Sequence, residues 1–190
     1  RPCGKTRIDV GPLPQATAAM RPAAATLTAK ISRARWDSPL GAMLLEASET
    51  GLCGAWFEGQ KHGPDARNWP ARSNSPVVRQ VIRELTEYFD GRRRHFDTPI
   101  DSSIGTEFQR AVWKTLRRIP VGRTLTYGEL ARRIGRPTAV RAVASAVGRN
   151  PVSLLVPCHR VIGSDGSLTG YASGLRRKAF LLALEKSIRD

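Results

Sequence analysis

The sequence predicts an α/β protein in two parts: a small N-terminal α+β domain, then a mostly helical domain with a helix-turn-helix and a candidate active-site cysteine. Three observations predict it. Two short apolar runs flank a Gly-bearing turn, as in a β-hairpin. After Gly105, apolar residues recur at helical spacing. The formal net charge of +15 is uneven, +4 over residues 1–104 and +11 over residues 105–190. With 190 residues, 41% hydrophobic and 25% charged, the chain is excluded from wholesale disorder. No window approaches 18 consecutive apolar residues, which excludes a helical membrane span. The boundaries expected are a mobile tail over 1–33, the α+β domain over 34–101, and the C-terminal domain over 102–190.

The tail is rich in Ala, Thr, Pro and Arg without hydrophobic period. Order begins near Trp36. Ala42–Ala47 and Leu52–Phe57 flank Ser48-Glu49-Thr50-Gly51, a hairpin pattern. Lys61–Ser75 is polar and bears Pro and Gly, so it reads as loop. Ser75-Pro76 opens a helix, Ser as cap and Pro at the first position. Val78, Val81, Ile82, Leu85 and Phe89 form its apolar stripe, and Gly91 stops it. Arg92–His95 reads as a solvated basic run and Phe96–Ile100 as a further strand.

The second unit opens with a helix over Thr106–Ile119, ended by Pro120. Thr126 and Glu129 make a capping box for a helix running to Ile134, where Gly135 ends it. A turn at Arg136-Pro137-Thr138 leads to a helix over Ala139–Val147. Two short helices about a tight turn form a helix-turn-helix pattern, which helical hairpins that bind nothing share. The basic surplus on the same segment favours a polyanionic partner, because each phosphate met by Lys or Arg releases counterions. The second helix is slim: Ala139, Ala142, Ala144, Ser145 and Ala146 are small, and Arg141 is its one long side chain. Such a helix suits tight helix packing or close approach to a duplex.

The chemistry is concentrated after Asn150-Pro151, where an apolar, strand-like run Val152–Val156 precedes Pro157-Cys158-His159-Arg160. A cysteine beside a histidine suggests a nucleophile with a base, although a buried structural cysteine is the commoner fate. In extended chain the two side chains point oppositely, so a water would have to join them. A carboxylate would be needed to orient the imidazole and favour its charged form. Glu185, on an amphipathic C-terminal helix with Phe180, Leu181 and Leu184, is one of few candidates; a solvent-facing charge is the alternative. Three sparse cysteines, Cys3, Cys53 and Cys158, suit a reducing, intracellular setting, and no metal-ligand spacing is present.

Pro157-Cys158-His159-Arg160-Val161, preceded by Asn150-Pro151, resembles the active-site signature of the O6-alkylguanine-DNA alkyltransferases, single-use repair proteins. The resemblance extends through Gly105–Gln109, Ala111-Val112-Trp113, Thr126-Tyr127, Arg141-Ala142-Val143 and Tyr171, and covers about residues 36–186. It implies an RNase H-like N-terminal domain and irreversible transfer of a methyl group from guanine O6, and from thymine O4, to the protein. Cys158 matches the alkyl acceptor, and His159 with Glu185 the pair that drains its proton through water. Asn150 matches an asparagine that braces the preceding turn. Tyr127 looks like the tyrosine that rotates the target phosphate and protonates guanine, and Arg141 like the finger that fills the gap in the duplex. Ala139, Ala142 and Arg149 fall on the helix that the family sets in the minor groove. Val161, Tyr171, Ala172 and Lys178 align with the surroundings of the flipped base, the last with the alternative of a surface charge. Ser153 and Thr169 fall where tolerance for bulky adducts is set. The resemblance implies no cofactor and no metal. It implies a monomer acting on double-stranded DNA containing alkylated guanine, cooperative on DNA, cytoplasmic and nucleoid-associated, without membrane contact. A non-catalytic damage sensor and a sequence-specific regulator are the rival readings; the first would lack the acceptor cysteine, and the second would not need Cys-His.

Overall fold

The computed structural model describes residues 31–67 and 69–188. The tail expected over 1–33 therefore lies outside the described residues up to position 30, as does Cys3. Its last two residues are a correction, because they open the first strand.

Three antiparallel strands form a meander: β1 (Ser32–Ser38), β2 (Gly41–Ala47) and β3 (Leu52–Phe57), in the order β1-β2-β3. β1 alternates, with Ala34 buried and the flanking Arg33 and Arg35 turned outward to pair with Glu46 and Glu58. Gly41 takes φ +103 in the β1–β2 turn, a conformation that favours glycine. Helix α1 (Pro76–Phe89) packs on β1 and β2 through Val78, Val81, Leu85 and Tyr88. Ser75 and Pro76 open it as expected, although the Ser75 side chain makes no capping bond.

The strand expected over Phe96–Ile100 does not form. Glu84 of α1 accepts hydrogen bonds from the amides of Asp97 and Thr98, both at 3.1 Å, so these donors are unavailable to a ladder. Only Ile100 reaches a strand, bridging Leu52 in parallel. The basic run before it is not wholly solvated either: Arg93 pairs with Glu87 and Asp97, and Arg94 donates to the carbonyl of Ile188.

Beyond Gly105 come α2 (Glu107–Leu116), β4 (Leu125–Thr126), α3 (Tyr127–Arg133), α4 (Val140–Gly148), β5 (Val161–Ile162) and α5 (Leu175–Ser187). Capping boxes start α2, from Thr106 and Gln109, and α3, from Thr126 and Glu129. The α3 C-terminus closes in a Schellman arrangement: Arg136 N–H donates to Ala131, Gly135 N–H to Arg132, and Gly135 takes φ +70. α4 lies against α2 and α3. Trp113 of α2 donates its indole N–H to the Ala146 carbonyl at 2.9 Å, pinning α4. β4 and β5 pair in parallel and join the start of α3 to the chain after Cys158.

The run Val152–Val156 is not a strand. Its ends make single bridges, Val152 with Ala55 of β3 and Ser153 with Val156, and Leu154 takes φ +74 between them. The β3 bridge, with Ala55 N–H donating to Pro151 and Ser153 N–H to Ala55, ties the two halves of the molecule together just before the Cys158 segment in the chain.

Candidate active site

Asn150 shapes the segment that presents the cysteine. Its amide donates to the carbonyl of Val156 at 2.8 Å and of Val152 at 3.4 Å, and its oxygen accepts from Val152 N–H at 3.0 Å. One side chain thus supplies the partners that a tight turn at Leu154 would otherwise leave unmet. Pro157 (φ −79, ψ 65) makes an inverse γ-turn, closed by Cys158 N–H donating to Val156. Cys158–Arg160 is then a 3-10 turn rather than extended chain, which corrects the expectation that Cys158 and His159 alternate as in a strand.

The same Asn150 amide nitrogen lies 3.1 Å from Cys158 Sγ and donates to it. Cys158 is 5% exposed. Burial pushes its thiol up, while the Asn150 bond and the charge of Lys178 pull it down. His159 is fully buried; its Nε2 lies 2.7 Å from Glu185 Oε1, and its Nδ1 has no partner among the described residues. Burial lowers the imidazole against the pull of Glu185. Burial thus works against both the thiolate and the imidazolium, while Asn150 and Lys178 on one side and Glu185 on the other work for them.

Glu185 is buried, not a solvent-facing charge. α5 buries Lys178, Leu181 and Glu185, three and four residues apart, and leaves Phe180 exposed, so its inward face is partly ionic rather than the apolar face expected. Burial alone would raise the Glu185 carboxyl, but hydrogen bonds from His159 and Arg160 outweigh it and hold it well below the usual range. Arg160 Nη2 and Nε donate to Glu185 at 2.8 and 2.9 Å, Tyr88 of α1 donates its hydroxyl at 2.8 Å, and Gly122 N–H donates at 3.2 Å. Sequence reasoning missed Arg160 and Tyr88. Arg160 sat inside the quoted motif and could have been found there; nothing local marks Tyr88.

Lys178 is buried too, so the surface-charge alternative fails. Its ammonium donates to the carbonyls of Val161 and Thr169 at 2.5 and 2.6 Å. Burial brings it down to about 8, partly offset by nearby Cys158. Val161 is buried in β5, and Ser153, aligned with adduct tolerance, instead donates to Gln60.

A cavity of about 460 Å³ has walls that include Tyr127, Ser145, Arg149, Gly170, Tyr171 and Ala172. Cys158 is not among its lining residues; the link is through Tyr127 and Tyr171, whose hydroxyls both feel the Cys158 charge. Tyr127 donates to the Gly170 carbonyl at 3.3 Å, and its hydroxyl is raised by burial and by the neighbouring sulfur. The Tyr171 ring stands nearly perpendicular to His159, with 6.5 Å between centroids. On α4, Val143, Ala146 and Val147 face inward while Arg141, Ala142, Ser145 and Arg149 are exposed, giving a narrow basic face with small residues between the arginines. Ala139 precedes that helix as its N-cap, half-buried. The structure thus brings Cys158, His159, Glu185, Asn150, Tyr127, Tyr171, Val161 and Lys178 together, with Ala172 and Arg149 at the cavity wall. Arg141, Ala139 and Ala142 belong to the outer surface.

Residues 31–102 match the family model described as 6-O-methylguanine DNA methyltransferase, ribonuclease-like domain, and residues 107–187 match its DNA binding domain. A methylated-DNA–protein-cysteine methyltransferase of Methanosarcina acetivorans is 48% identical over 153 residues, covering 80% of this chain and 96% of the relative. That of Mycolicibacterium paratuberculosis is 44% identical over 150 residues, covering 79% and 89%. The crystal structure of Mycobacterium tuberculosis O6-methylguanine methyltransferase superposes with a TM-score of 0.75 at 40% identity, over 85% of this chain and 96% of that one. The Mycobacterium tuberculosis OGT structure in complex with DNA gives the same TM-score at 42% identity, over 82% and 93%.

Proposed function

This chain belongs to the 6-O-methylguanine DNA methyltransferase family, and from that premise we propose that Cys158 is the alkyl acceptor and His159, Glu185 and Asn150 prepare it. The activity is repair of alkylated DNA by transfer of the alkyl group to a cysteine of the protein, and DNA is its partner. The observation that carries the assignment to Cys158 is its Sγ held by the Asn150 amide, with the next two residues, His159 and Arg160, buried on Glu185.

The target methyl lies on a base edge inside the duplex, beyond reach of a buried sulfur. The damaged nucleotide is therefore extruded from the duplex into the cavity, at a cost of a few kcal/mol. α4 lies in the minor groove, its small residues allowing close approach, and Arg141 occupies the space the base leaves. α3 and α4 act as the helix-turn-helix. With the base bound, the Cys158 proton passes through a water to the unpartnered Nδ1 of His159, and Glu185 stabilises the imidazolium formed. Asn150 and Lys178 stabilise the thiolate. Sulfur attacks the methyl carbon, a C–S bond forms, and the bond from carbon to O6 breaks. The guanine anion takes a proton from the Tyr127 hydroxyl. The same displacement serves O4 of thymine. The product is a thioether with no group placed to cleave it, so each molecule acts once. A sensor or a sequence-specific regulator would leave the thiol, its amide donor and the buried relay without a use.

Intact-mass analysis after incubation with an O6-methylguanine duplex tests this. One methyl per chain on the Cys158 peptide, and none in Cys158→Ser, is the outcome expected. Multiple turnovers, or a methyl on another residue, would overturn it.

A further inference from the structure

The cavity has one wall from the N-terminal domain, the turn Gln60–Gly63 that follows β3, and nothing in the alkyl transfer uses it. We propose that this turn is a contact for the sugar–phosphate backbone of DNA, with Lys61 and His62 meeting a phosphate of the strand that carries the target nucleotide. The proposal rests on the reading of the cavity as the site of the damaged base. It adds a second jaw, from the other domain, to the one that α4 forms.

Position comes first. Lys61 and His62 line the same cavity as Tyr127, Arg149 and Tyr171, so a strand that delivers a nucleotide there runs past Lys61 as well as Arg149. Charge agrees. No carboxylate lines the cavity, both side chains are exposed, and the Lys61 ammonium has no partner among the described residues. An exposed lysine on the wall of a cavity without carboxylates is suited to a phosphate as a point charge.

The turn is also built rather than slack. Gln60 is buried, and its side-chain oxygen accepts from Phe57 N–H at 3.0 Å, Ser173 Oγ at 2.7 Å and Ser153 Oγ at 3.3 Å. Lys61 N–H donates to the Ala172 carbonyl at 3.0 Å, and Gly63 N–H to the Gln60 carbonyl at 3.1 Å. Lys61 is thereby fixed to the loop that bears Tyr171. His62 is held at φ +64, one of two non-glycine residues at positive φ among those described; the other is Leu154, beside the acceptor. Strain of this kind persists where the surroundings impose it, and it clusters at binding sites.

The test is binding of the full-length protein to an unmodified duplex, followed by fluorescence anisotropy over about 50 to 200 mM salt. Loss of one phosphate contact lowers the slope of log affinity against log salt by about one. Lys61→Ala is expected to show that drop, with affinity several-fold lower at low salt and the curves converging as salt rises; Lys61→Arg is expected to restore the slope. Lys186→Ala, exposed near the end of α5 and away from the cavity, is expected to run parallel to wild type. A Lys61→Ala slope equal to wild type would overturn the proposal. So would selective competition by inorganic phosphate at constant ionic strength, which would mark a free-anion site. The mass assay on Cys158 separates the two readings. Methylation of Cys158 with an unchanged Lys61→Ala slope removes the jaw alone, and a reduced slope without methylation of Cys158 removes the acceptor assignment and keeps the jaw.

Discussion

Glu185→Gln is the sharpest single perturbation of the buried relay. The substitution keeps the shape of the side chain and deletes its charge. Arg160, whose side chain is 7% exposed, loses its only ion-pair partner among the described residues and two charge-assisted bonds of 2.8 and 2.9 Å. Removing one member of such a buried pair costs about 3–5 kcal/mol, because the other charge is left uncompensated. For a protein of this size each kcal/mol moves Tm by about 2–4 °C, so Tm at pH 7 should fall by roughly 6–20 °C. Circular dichroism melts of wild type and variant measure this directly. Replacing both partners, Arg160→Met with Glu185→Leu, would strand no charge but would leave the donors of Tyr88, His159 and Gly122 without their acceptor, so it should not restore wild-type Tm. Because the native Glu185 carboxyl lies below its unfolded value of about 4.3, its contribution is complete above that pH and fades as pH falls further. The gap between wild type and Glu185→Gln should accordingly narrow below about pH 4. A single variant melting within about 2 °C of wild type would refute the reasoning, for that is how an exposed helix charge behaves.

Lys178→Met should slow methylation of Cys158 at pH 7, because the thiolate loses a charge that pulls its pKa down, as measured by quenched single-turnover reactions. The difference should shrink as pH rises through about 8, where wild-type Lys178 itself loses its charge. Between about 8 and 10 the unfolded chain holds the Lys178 proton that the folded one has lost, so wild-type stability should rise with pH across that window while the variant shows no such rise. Arg141→Ala should slow repair in duplex DNA at least tenfold more than attack on free O6-benzylguanine; equal losses on the two substrates would show that the arginine does not fill the duplex.

Local chemistry made much of the architecture readable. Ser75-Pro76 and a 3.6-residue stripe announced α1, and the Thr126–Glu129 box announced α3, because caps and periodicity are decided within a few residues. The errors fall where a distant side chain takes over the backbone. Glu84 captures the amides of Asp97 and Thr98, and Asn150 serves the turn at Leu154, so two apolar stretches that read as strands are not strands. β1 has no counterpart in the sequence reading, because its arginines resemble those of the tail and their partners, Glu46 on β2 and Glu58 just after β3, are distant in sequence. At the site, Cys158 and His159 were legible from their adjacency. Glu185 was an open choice until the family resemblance pointed to it, and its burial among Arg160, Tyr88 and His159 is a product of tertiary packing alone.

Tyr88 has one more consequence. Its hydroxyl crosses from α1 to the carboxylate that orients the imidazole, so the half of the molecule without reactive atoms still completes the electrostatics of the half that has them. The C-terminal half is therefore not a portable cassette. Grafted onto another scaffold, it would carry its nucleophile intact yet miss a donor that its relay was built around, and any recombination between relatives would have to inherit the tyrosine and the glutamate together.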